Sequence, residues 1–269
     1  MPIISEGSYF IKEIFEKREQ IATLTKRDFQ DRYTGSFLGV LWAFIQPLAM
    51  MLIMWGVFTL GLKVQPSGSV PFVAYLFTGM IAYNFFADTV SANAGVIQAY
   101  SFLVKKVKFR VAILPMVKIN SGLLLHGVFL LIVMPILWAS GVTPSLYWFQ
   151  VLYYLAALLV LILGLSWLLA AIGVFIRDIV HVIGVLTTFG FWLTPIFWNL
   201  EMVPEPYRPY LKVNPLYYIV QGYRDSFIHH IPFWSYPLYT LYYWGVTAII
   251  FLLGITVFKK LRPHFADVI

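Results

Sequence analysis

The amino-acid sequence predicts an all-α integral membrane protein with six transmembrane helices, and two observations carry that prediction. Hydrophobic residues make up 60% of the chain and charged residues 12%, whereas soluble proteins average about 45–50% and about 25%. The apolar residues also come in long continuous runs, and a helix needs about 20 residues to cross a bilayer core. A membrane β-barrel would instead show segments of about ten residues with alternating polarity.

Six apolar runs are long enough to be membrane spans. The fourth is the clearest, because no charged residue occurs from Val151 to Ile176. The second is the least regular, because Asn84 and Asp88 interrupt it. The approximate bounds of the six predicted spans are 37–62, 70–91, 113–139, 152–176, 180–198 and 238–258.

Lys and Arg residues are distributed unevenly among the segments that join these spans. They cluster before the first span, between the second and third, at Arg177 and after the sixth, whereas segment 140–150 has none. Because cytoplasmic segments carry an excess of basic residues, both termini are predicted to be cytoplasmic. Arg208, Lys212 and Arg224 then fall in the external connection before the sixth span. The net charge of +7 is thus interpreted as a topology signal, and no nucleic-acid partner is expected.

Two regions are predicted, a cytoplasmic amphipathic interface helix at residues 1–35 and a six-span transmembrane domain at residues 36–269. Apolar residues recur near helical spacing from Ser8 to Asp31, and charges fill the other face. A helix of this kind can lie in the membrane interface with its apolar side down, which is the favoured interpretation. The alternative is a cytoplasmic helix packed on its own protein.

The cytoplasmic connection between the second and third spans, at about 97–112, alternates basic residues with apolar ones. Its charge alone is that of an ordinary cytoplasmic loop. Exposure of these apolar side chains to water would be unfavourable, so a lipid surface or a partner protein is expected to cover Phe102, Leu103, Val107 and Phe109.

The external connection, at about 201–236, is rich in proline and tyrosine. Its middle part, 215–231, is apolar but too short to cross the membrane twice, which is typical of re-entrant half-helices. An ordinary external aromatic belt is the alternative, because Tyr and Trp favour the membrane interface.

Motifs for catalysis, ATP binding and metal binding are absent from the sequence. The chain has no cysteine, no H-E-x-x-H and no G-x-x-x-x-G-K-[ST], so it cannot bind ATP through a P-loop. The adjacent His229 and His230 lack neighbouring carboxylates and are a weak metal signal. We therefore predict no catalytic residue, no metal site and no cofactor in this chain.

A polar face and many aromatic residues are predicted within the spans. Asp88 lies at helical spacing from Asn84 and Ser91, so the three share a face. That face lines a hydrated path, forms a helix contact or marks the watery end of the span. A conduit lined by aromatic rings and poor in charge favours a glycan over an ion, although most aromatics are interpreted as packing and interface residues. The channel-lining candidates are Trp42, Phe44, Tyr83, Asn84, Phe86, Asp88, Trp192 and Phe197.

Residues 27–47 read RDFQDRYTGSFLGVLWAFIQP, where a charged and aromatic helix passes directly into the first span. With six spans and an amphipathic lead-in, this block resembles the permease subunit of polysaccharide-exporting ATP-binding-cassette transporters, the O-antigen (Wzm-type) and teichoic-acid exporter group. That family has roughly R-D-[FL]-x-x-R-Y-x-x-S-x-L-G-x-L-W-[AP]-x-x-x-P at this place. Further similar segments follow in order: FLVKKVKFRVAILP, RDI, FWLTPIFW and VPEPYRPYLKVNPLYYIVQGYRDSF.

The resemblance implies a homodimeric permease in the cytoplasmic membrane of a bacterium. It implies two copies of a separate nucleotide-binding ATPase, which would hold ATP and Mg, and a polyprenyl-linked polysaccharide that passes between the two permeases. The external connection would form gating half-helices. The segment that couples to the ATPase would contain Leu103, Lys105, Lys106, Val107, Phe109 and Arg110. The cytoplasmic entrance, where a lipid pyrophosphate could meet Arg27 or Arg32, would contain Arg27, Asp28, Arg32 and Tyr33.

Three other functions compete with this interpretation. A membrane enzyme acting on lipid-linked sugars would need an acid–base pair, for which Asp28, Asp31 and Asp178 are the plausible cytoplasmic carboxylates besides the N-terminal glutamates. A lipid or drug exporter of the same superfamily is disfavoured by the aromatic external connection and by the lack of a large external domain. A channel is disfavoured by the lack of filter-like motifs.

Overall fold

The computed structural model describes residues 17–31, 35–63, 70–105 and 109–269, and helices joined by short connections dominate it. No strand occurs among these described residues. The principal helices are α1 (Arg18–Asp31), α2 (Gly39–Gly61), α3 (Phe72–Ala94), α4 (Val111–Ala139), α5 (Leu146–Phe175), α6 (Ile179–Leu193), α7 (Pro215–Arg224) and α8 (Pro237–Leu261). Proline occupies the first turn of α7, of α8 and of the α-helical part of α4, which begins at Leu114. Its missing N–H has no helical partner to lose there.

Four of these helices, α2, α4, α5 and α8, lie in helical stretches long and apolar enough to cross a membrane. Their bounds lie within a few residues of the predicted spans, except that α5 begins earlier, at Leu146. Helix α3 is 23 residues long and carries Asn84 and Asp88, and α6 has 15 residues. Both helices form where spans were predicted, and their crossing of the membrane stays a prediction.

Helix α3 is the centre of the bundle, because α2, α4, α5, α6 and α7 all pack against it. Helices α5 and α8 share the most extensive helix–helix contact in the described part of the chain. A Cβ atom on Gly164 would lie 2.7 Å from the Cα atom of Phe251, and a Cβ on Gly254 would collide with the carbonyl of Gly164. Glycine at these positions lets the two backbones touch, as small residues commonly do between membrane helices.

Helices α2 and α6 lie at the edge of the bundle. Of the 15 residues of α6 only Ile183 is buried, and the apolar side chains of Phe189 and Trp192 are more than half exposed. The α-helical part of α2 buries three residues, Ala43, Met51 and Met54. A single copy of the chain therefore presents a large apolar surface on these two helices.

The segment predicted to be the external connection folds into short helical turns followed by α7, which inserts among α3, α5 and α8. The side chain of Asn214 accepts a hydrogen bond from the Leu216 N–H and caps the start of α7. The helix continues as a π-helical turn over Asp225–His229, and His230 then takes the left-handed conformation, with φ of 54°. At 1.5 Å per residue, Pro215 to His229 spans about 22 Å, less than the roughly 30 Å bilayer core. A helix too short to cross the membrane therefore forms in the predicted segment, and its re-entry into the membrane stays a prediction.

Helix α1 packs on the N-terminal half of α4 through Ile21, Thr25 and Asp28. A helix was predicted here, and over Arg18–Asp31 it forms. The preceding residues of the predicted amphipathic helix lie outside the described residues.

Candidate functional site

A buried ionic cluster joins the C-terminal end of α1 to the N-terminal part of α4. The carboxylate of Asp28, 5% exposed, pairs with the ammonium group of Lys118. It also accepts hydrogen bonds from the hydroxyl groups of Tyr100, at 2.8 Å, and Ser121, at 2.9 Å. Burial raises the pKa of Asp28, but Lys118, Tyr100 and Ser121 favour the carboxylate, so its pKa lies below the ordinary 3.8. The carboxylate of Asp28 is thus bound by these three donors.

The other entrance candidates have different surroundings. Arg27 is exposed, and its Nε lies 3.6 Å from a carboxylate oxygen of Asp31. Exposed pairs of this kind contribute little stability, so the guanidinium group of Arg27 is available to a ligand. Arg32 and Tyr33 lie outside the described residues.

A cavity of about 390 Å³, here called the inner cavity, lies between α2, α3 and α4. Three of the predicted channel-lining residues, Trp42, Asn84 and Asp88, line it together. Lys118 and His126 are the basic residues of its wall, so the cavity begins beside the Asp28 cluster and extends to the middle of α4. The shared face predicted for Asn84 and Asp88 is therefore a cavity wall. Ser91 does not line this cavity.

The remaining aromatic channel candidates do not line the inner cavity. Four of them form a packed cluster between α3 and α6, namely Tyr83, Phe86, Trp192 and Phe197 together with Phe191. Tyr83 is buried and donates a hydrogen bond to the carbonyl of Thr187 on α6. Phe44 contacts Phe129 of α4, with ring centroids 6.0 Å apart. In one copy of the chain these rings hold helices together, and only Trp192 is largely exposed.

The predicted coupling segment contains the short helices Val96–Ala99 and Ser101–Val104. Lys106 and Val107 lie outside the described residues. Two hydrogen bonds hold the ends of the segment on α5: the Gln98 side chain donates to the Gly173 carbonyl at 2.7 Å, and the Trp167 indole donates to the Ala112 carbonyl at 3.2 Å. The segment is thus fixed to the C-terminal part of α5.

The apolar side chains of this segment point in two directions. Leu103 and Phe109 pack partly against a buried cluster that contains Trp167 and Phe265. Phe102 is 55% exposed and Lys105 is exposed, while Arg110 is half-buried. Of the described apolar residues in the segment, Phe102 is the one that is exposed.

Arg224, near the end of α7, is a fully buried cation. Its guanidinium group lies 3.5 Å from the centroid of the Tyr75 ring and donates to the Ile196 carbonyl at 2.8 Å. The lack of a side chain at Gly79 leaves space for the guanidinium group, because a Cβ atom there would lie 3.0 Å from an Arg224 nitrogen. Arg224 was predicted to be one of the charges of the external connection, whereas the structure buries it. A charge inside the apolar run 215–231 was the available signal.

The hydroxyl of Tyr223, the residue before Arg224, lies 2.9 Å from Nε2 of His126. The His126 ring stacks on Phe85 of α3, with centroids 4.7 Å apart. Because His126 lines the inner cavity, this contact joins α7 directly to the cavity wall. No group of three or more His, Asp or Glu residues that could hold a metal ion occurs in the described part of the chain.

Comparison with known proteins assigns the chain to a protein family. Residues 19–228 match the family model described as ABC-2 type transporter, so the match covers more than half of the chain and includes α2 to α6. The chain belongs to the ABC-2 type transporter family. The resemblance inferred from residues 27–47 is confirmed, and so is the prediction of a multi-pass membrane permease.

Similar proteins cover nearly the whole of this ABC-2 transporter chain. The O-antigen export system permease protein RfbA of Myxococcus xanthus is 28% identical over 261 residues, 96% of this chain and 98% of that protein. The protein of the same name from Klebsiella pneumoniae is 27% identical over 93% of this chain and 94% of its own length. The polysialic acid transport protein KpsM of Escherichia coli is 25% identical over 77% of this chain and 80% of its own length.

Proposed function

We propose that this chain is the permease subunit of an ATP-driven exporter that moves a lipid-linked polysaccharide across the cytoplasmic membrane of a bacterium. The observation that carries the proposal is the similarity to permeases named for O-antigen export over more than nine tenths of both chains. The similarity to a polysialic acid transport protein supports a polysaccharide as the cargo. The chain itself transports, and it is not an enzyme.

The channel forms between two copies of the chain. Helices α2 and α6 supply the facing surfaces, and the apolar exposure of Phe189 and Trp192 on α6 supports this arrangement. All six predicted spans cross the membrane in this proposal, and both termini are cytoplasmic. The inner cavity of each copy, lined by Trp42, Asn84 and Asp88, opens toward the shared channel.

Energy comes from two copies of a separate ATPase that bind ATP and Mg. The absence of a P-loop sequence in this chain supports a separate ATPase. The segment at about 97–112 docks on that ATPase, and the exposed Phe102 is the anchor. Its attachment to α5 through Gln98 and Trp167 passes the motion of the ATPase into the bundle.

The cytoplasmic entrance holds the lipid pyrophosphate through arginine. A guanidinium group binds phosphate oxygens in a bidentate fashion, and Arg27 is exposed beside the buried Asp28 cluster. Arg27→Ala is expected to lower export without changing the amount of folded protein. Lys26→Ala, on the same exposed helix, is the matched control and should export normally; equal export by both variants would contradict this role of Arg27.

Co-purification and export together test the proposed function. The full chain, purified in mild detergent, is expected to bring down the ATPase of the same organism in a 1:1 ratio of the two polypeptides. Deletion of the chain from that organism should abolish surface polysaccharide while lipid-linked polysaccharide accumulates inside the cell. Normal surface polysaccharide in the deletion strain would contradict the proposal, and so would a purified chain that binds no ATPase.

A further inference from the structure

A second cavity, here called the outer cavity, lies between α7, the start of α8 and the turns that precede α7. Its volume is about 600 Å³, within the range of sites that bind small molecules. It is separate from the inner cavity, and none of the predicted channel residues lines it. Its lining residues include Arg208, Tyr217, Tyr218, Gln221, Asp225 and Tyr239.

Three tyrosines form an aromatic wall of this cavity. The rings of Tyr217 and Tyr239 have centroids 6.0 Å apart, and those of Tyr218 and Tyr239 are 5.6 Å apart at a steep angle. The hydroxyl of Tyr239 donates to the Lys212 carbonyl at 2.6 Å, which fixes its ring. Aromatic faces carry negative charge density, so they attract the weakly positive C–H bonds of a sugar ring.

The carboxylate of Asp225 forms the polar floor of the cavity. It is 3% exposed and accepts a hydrogen bond from the Gln221 amide at 2.9 Å. Within the described residues it has no ion pair with a lysine or arginine. A buried carboxylate needs several hydrogen-bond donors, and one amide leaves most of its acceptor sites unused. The hydroxyl groups of a bound ligand would supply the missing donors.

The charges around the cavity do not favour a small ion. Glu201 and Asp225 are balanced by Arg208 and Lys212. Arg208 is also committed to the protein, because it donates to the Val203 carbonyl at 2.8 Å and the Glu201 carbonyl at 2.9 Å. A ligand rich in hydroxyl groups matches both the carboxylate and the aromatic wall.

We infer that the outer cavity is a saccharide-binding site that holds one or two sugar residues, stacked on Tyr217 and Tyr239 and hydrogen-bonded to Asp225. The inference rests on the proposed function, because the sugar would belong to the exported polysaccharide after it passes the membrane. The site lies within one copy of the chain, so each copy of a dimer would carry its own.

Binding to the purified full chain tests the site. The probe is the surface polysaccharide of the same organism, cleaved to oligosaccharides of a few sugar units, and saturation-transfer NMR reads its contact with the chain in lipid nanodiscs. Tyr217→Ala and Asp225→Asn are each expected to weaken binding at least about tenfold, since a lost stacking or charged hydrogen bond of about 1.4 kcal/mol has that effect. Tyr210→Ala and Glu205→Gln are the matched controls, because both residues are exposed in the same segment and neither lines the outer cavity.

A photocrosslinking measurement covers the case in which a substitution impairs folding. Benzoylphenylalanine in place of Tyr217 should crosslink to polysaccharide in exporting cells, and the same group in place of Tyr210 should not. The inference is overturned if the wild-type chain binds no oligosaccharide at millimolar concentration, or if the cavity variants and their controls behave alike. If export requires the chain but substitution of Tyr217 and Asp225 leaves oligosaccharide binding unchanged, only this inference fails. If export proceeds without the chain, the proposed function fails.

Discussion

The hydroxyl of Tyr223 and the imidazole of His126 meet 2.9 Å apart inside the bundle, although the two residues lie 97 positions apart in sequence. Tyr223 is fully buried and His126 is 2% exposed. The contact joins the short helix α7 to the long helix α4. Because His126 also lines the inner cavity, a shift of α7 would change the wall of that cavity.

The contact between Tyr223 and His126 should stabilise the fold. Tyr223→Phe removes the hydroxyl and leaves a buried imidazole nitrogen without this partner, which is expected to cost about 1–3 kcal/mol. His126→Leu should cost a similar amount, and the double variant should cost less than the sum. Thermal unfolding of the detergent-solubilised chain measures all three, with Tyr210→Phe as the exposed control. Additive losses would show that the two side chains are not coupled.

Stability at low pH should depend on Asp28. Its folded pKa lies below the ordinary 3.8, so its contribution is present above pH 3.8 and is lost as the pH falls through the folded pKa. Asp28→Asn removes one partner of a buried ion pair and should lower the free energy of unfolding at pH 7 by about 3 kcal/mol. The gap between the wild-type chain and this variant should stay constant from pH 7 to about pH 5 and narrow below about pH 4.

Asp31→Asn is the control for that measurement, because Asp31 lies on the same helix but in an exposed pair with Arg27. Exposed pairs contribute little, so this variant should unfold like the wild-type chain across the same pH range. Equal losses in both variants would contradict the structural role of the Asp28 cluster.

The sequence predicts the helices well because each span is a local property. A continuous apolar run such as 151–176 becomes a helix whatever its neighbours are, since lipid leaves no other way to satisfy the backbone. The short helix α7 lies in an apolar run whose length had predicted a helical segment too short to cross the membrane. These features needed no knowledge of which helix packs against which.

The surroundings of charged residues could not be predicted in the same way. Asp28 and Arg27 are adjacent, yet one is buried among three donors and the other is exposed. Arg224 looked like a loop charge because its partners, Tyr75 and Ile196, are distant in sequence. Whether a charged residue is buried depends on the carbonyls and aromatic rings that the fold places around it. The spacing of residues along the chain does not predict these contacts.

The crossing of α5 and α8 should tolerate no side chain at Gly164. A Cβ atom there would lie 2.7 Å from the Cα and 2.9 Å from the nitrogen of Phe251, and backbone atoms cannot move aside as a side chain would. Gly164→Ala is therefore expected to destabilise the chain by about 1–3 kcal/mol. Gly245→Ala is the matched control, because nothing lies within 4 Å of its Cβ and alanine favours a helix. A Gly164→Ala chain as stable as the Gly245→Ala chain would show that the helices do not touch there.

Coupling to the ATPase should depend on Phe102, which is 55% exposed on a segment fixed to α5. Truncation of an aromatic anchor at a protein interface commonly costs more than about 1 kcal/mol, so Phe102→Ala should weaken binding of the ATPase by about tenfold. Phe149→Ala is the control, because Phe149 is 71% exposed at the opposite end of α5.

Binding of the ATPase to nanodisc-embedded chains is measured together with ATP hydrolysis. Phe102→Ala should lower the affinity for the ATPase and uncouple hydrolysis from export, while its unfolding temperature matches that of Phe149→Ala. Unchanged affinity in Phe102→Ala would move the docking surface away from this segment, since Phe102 is the described apolar side chain that a partner could reach there.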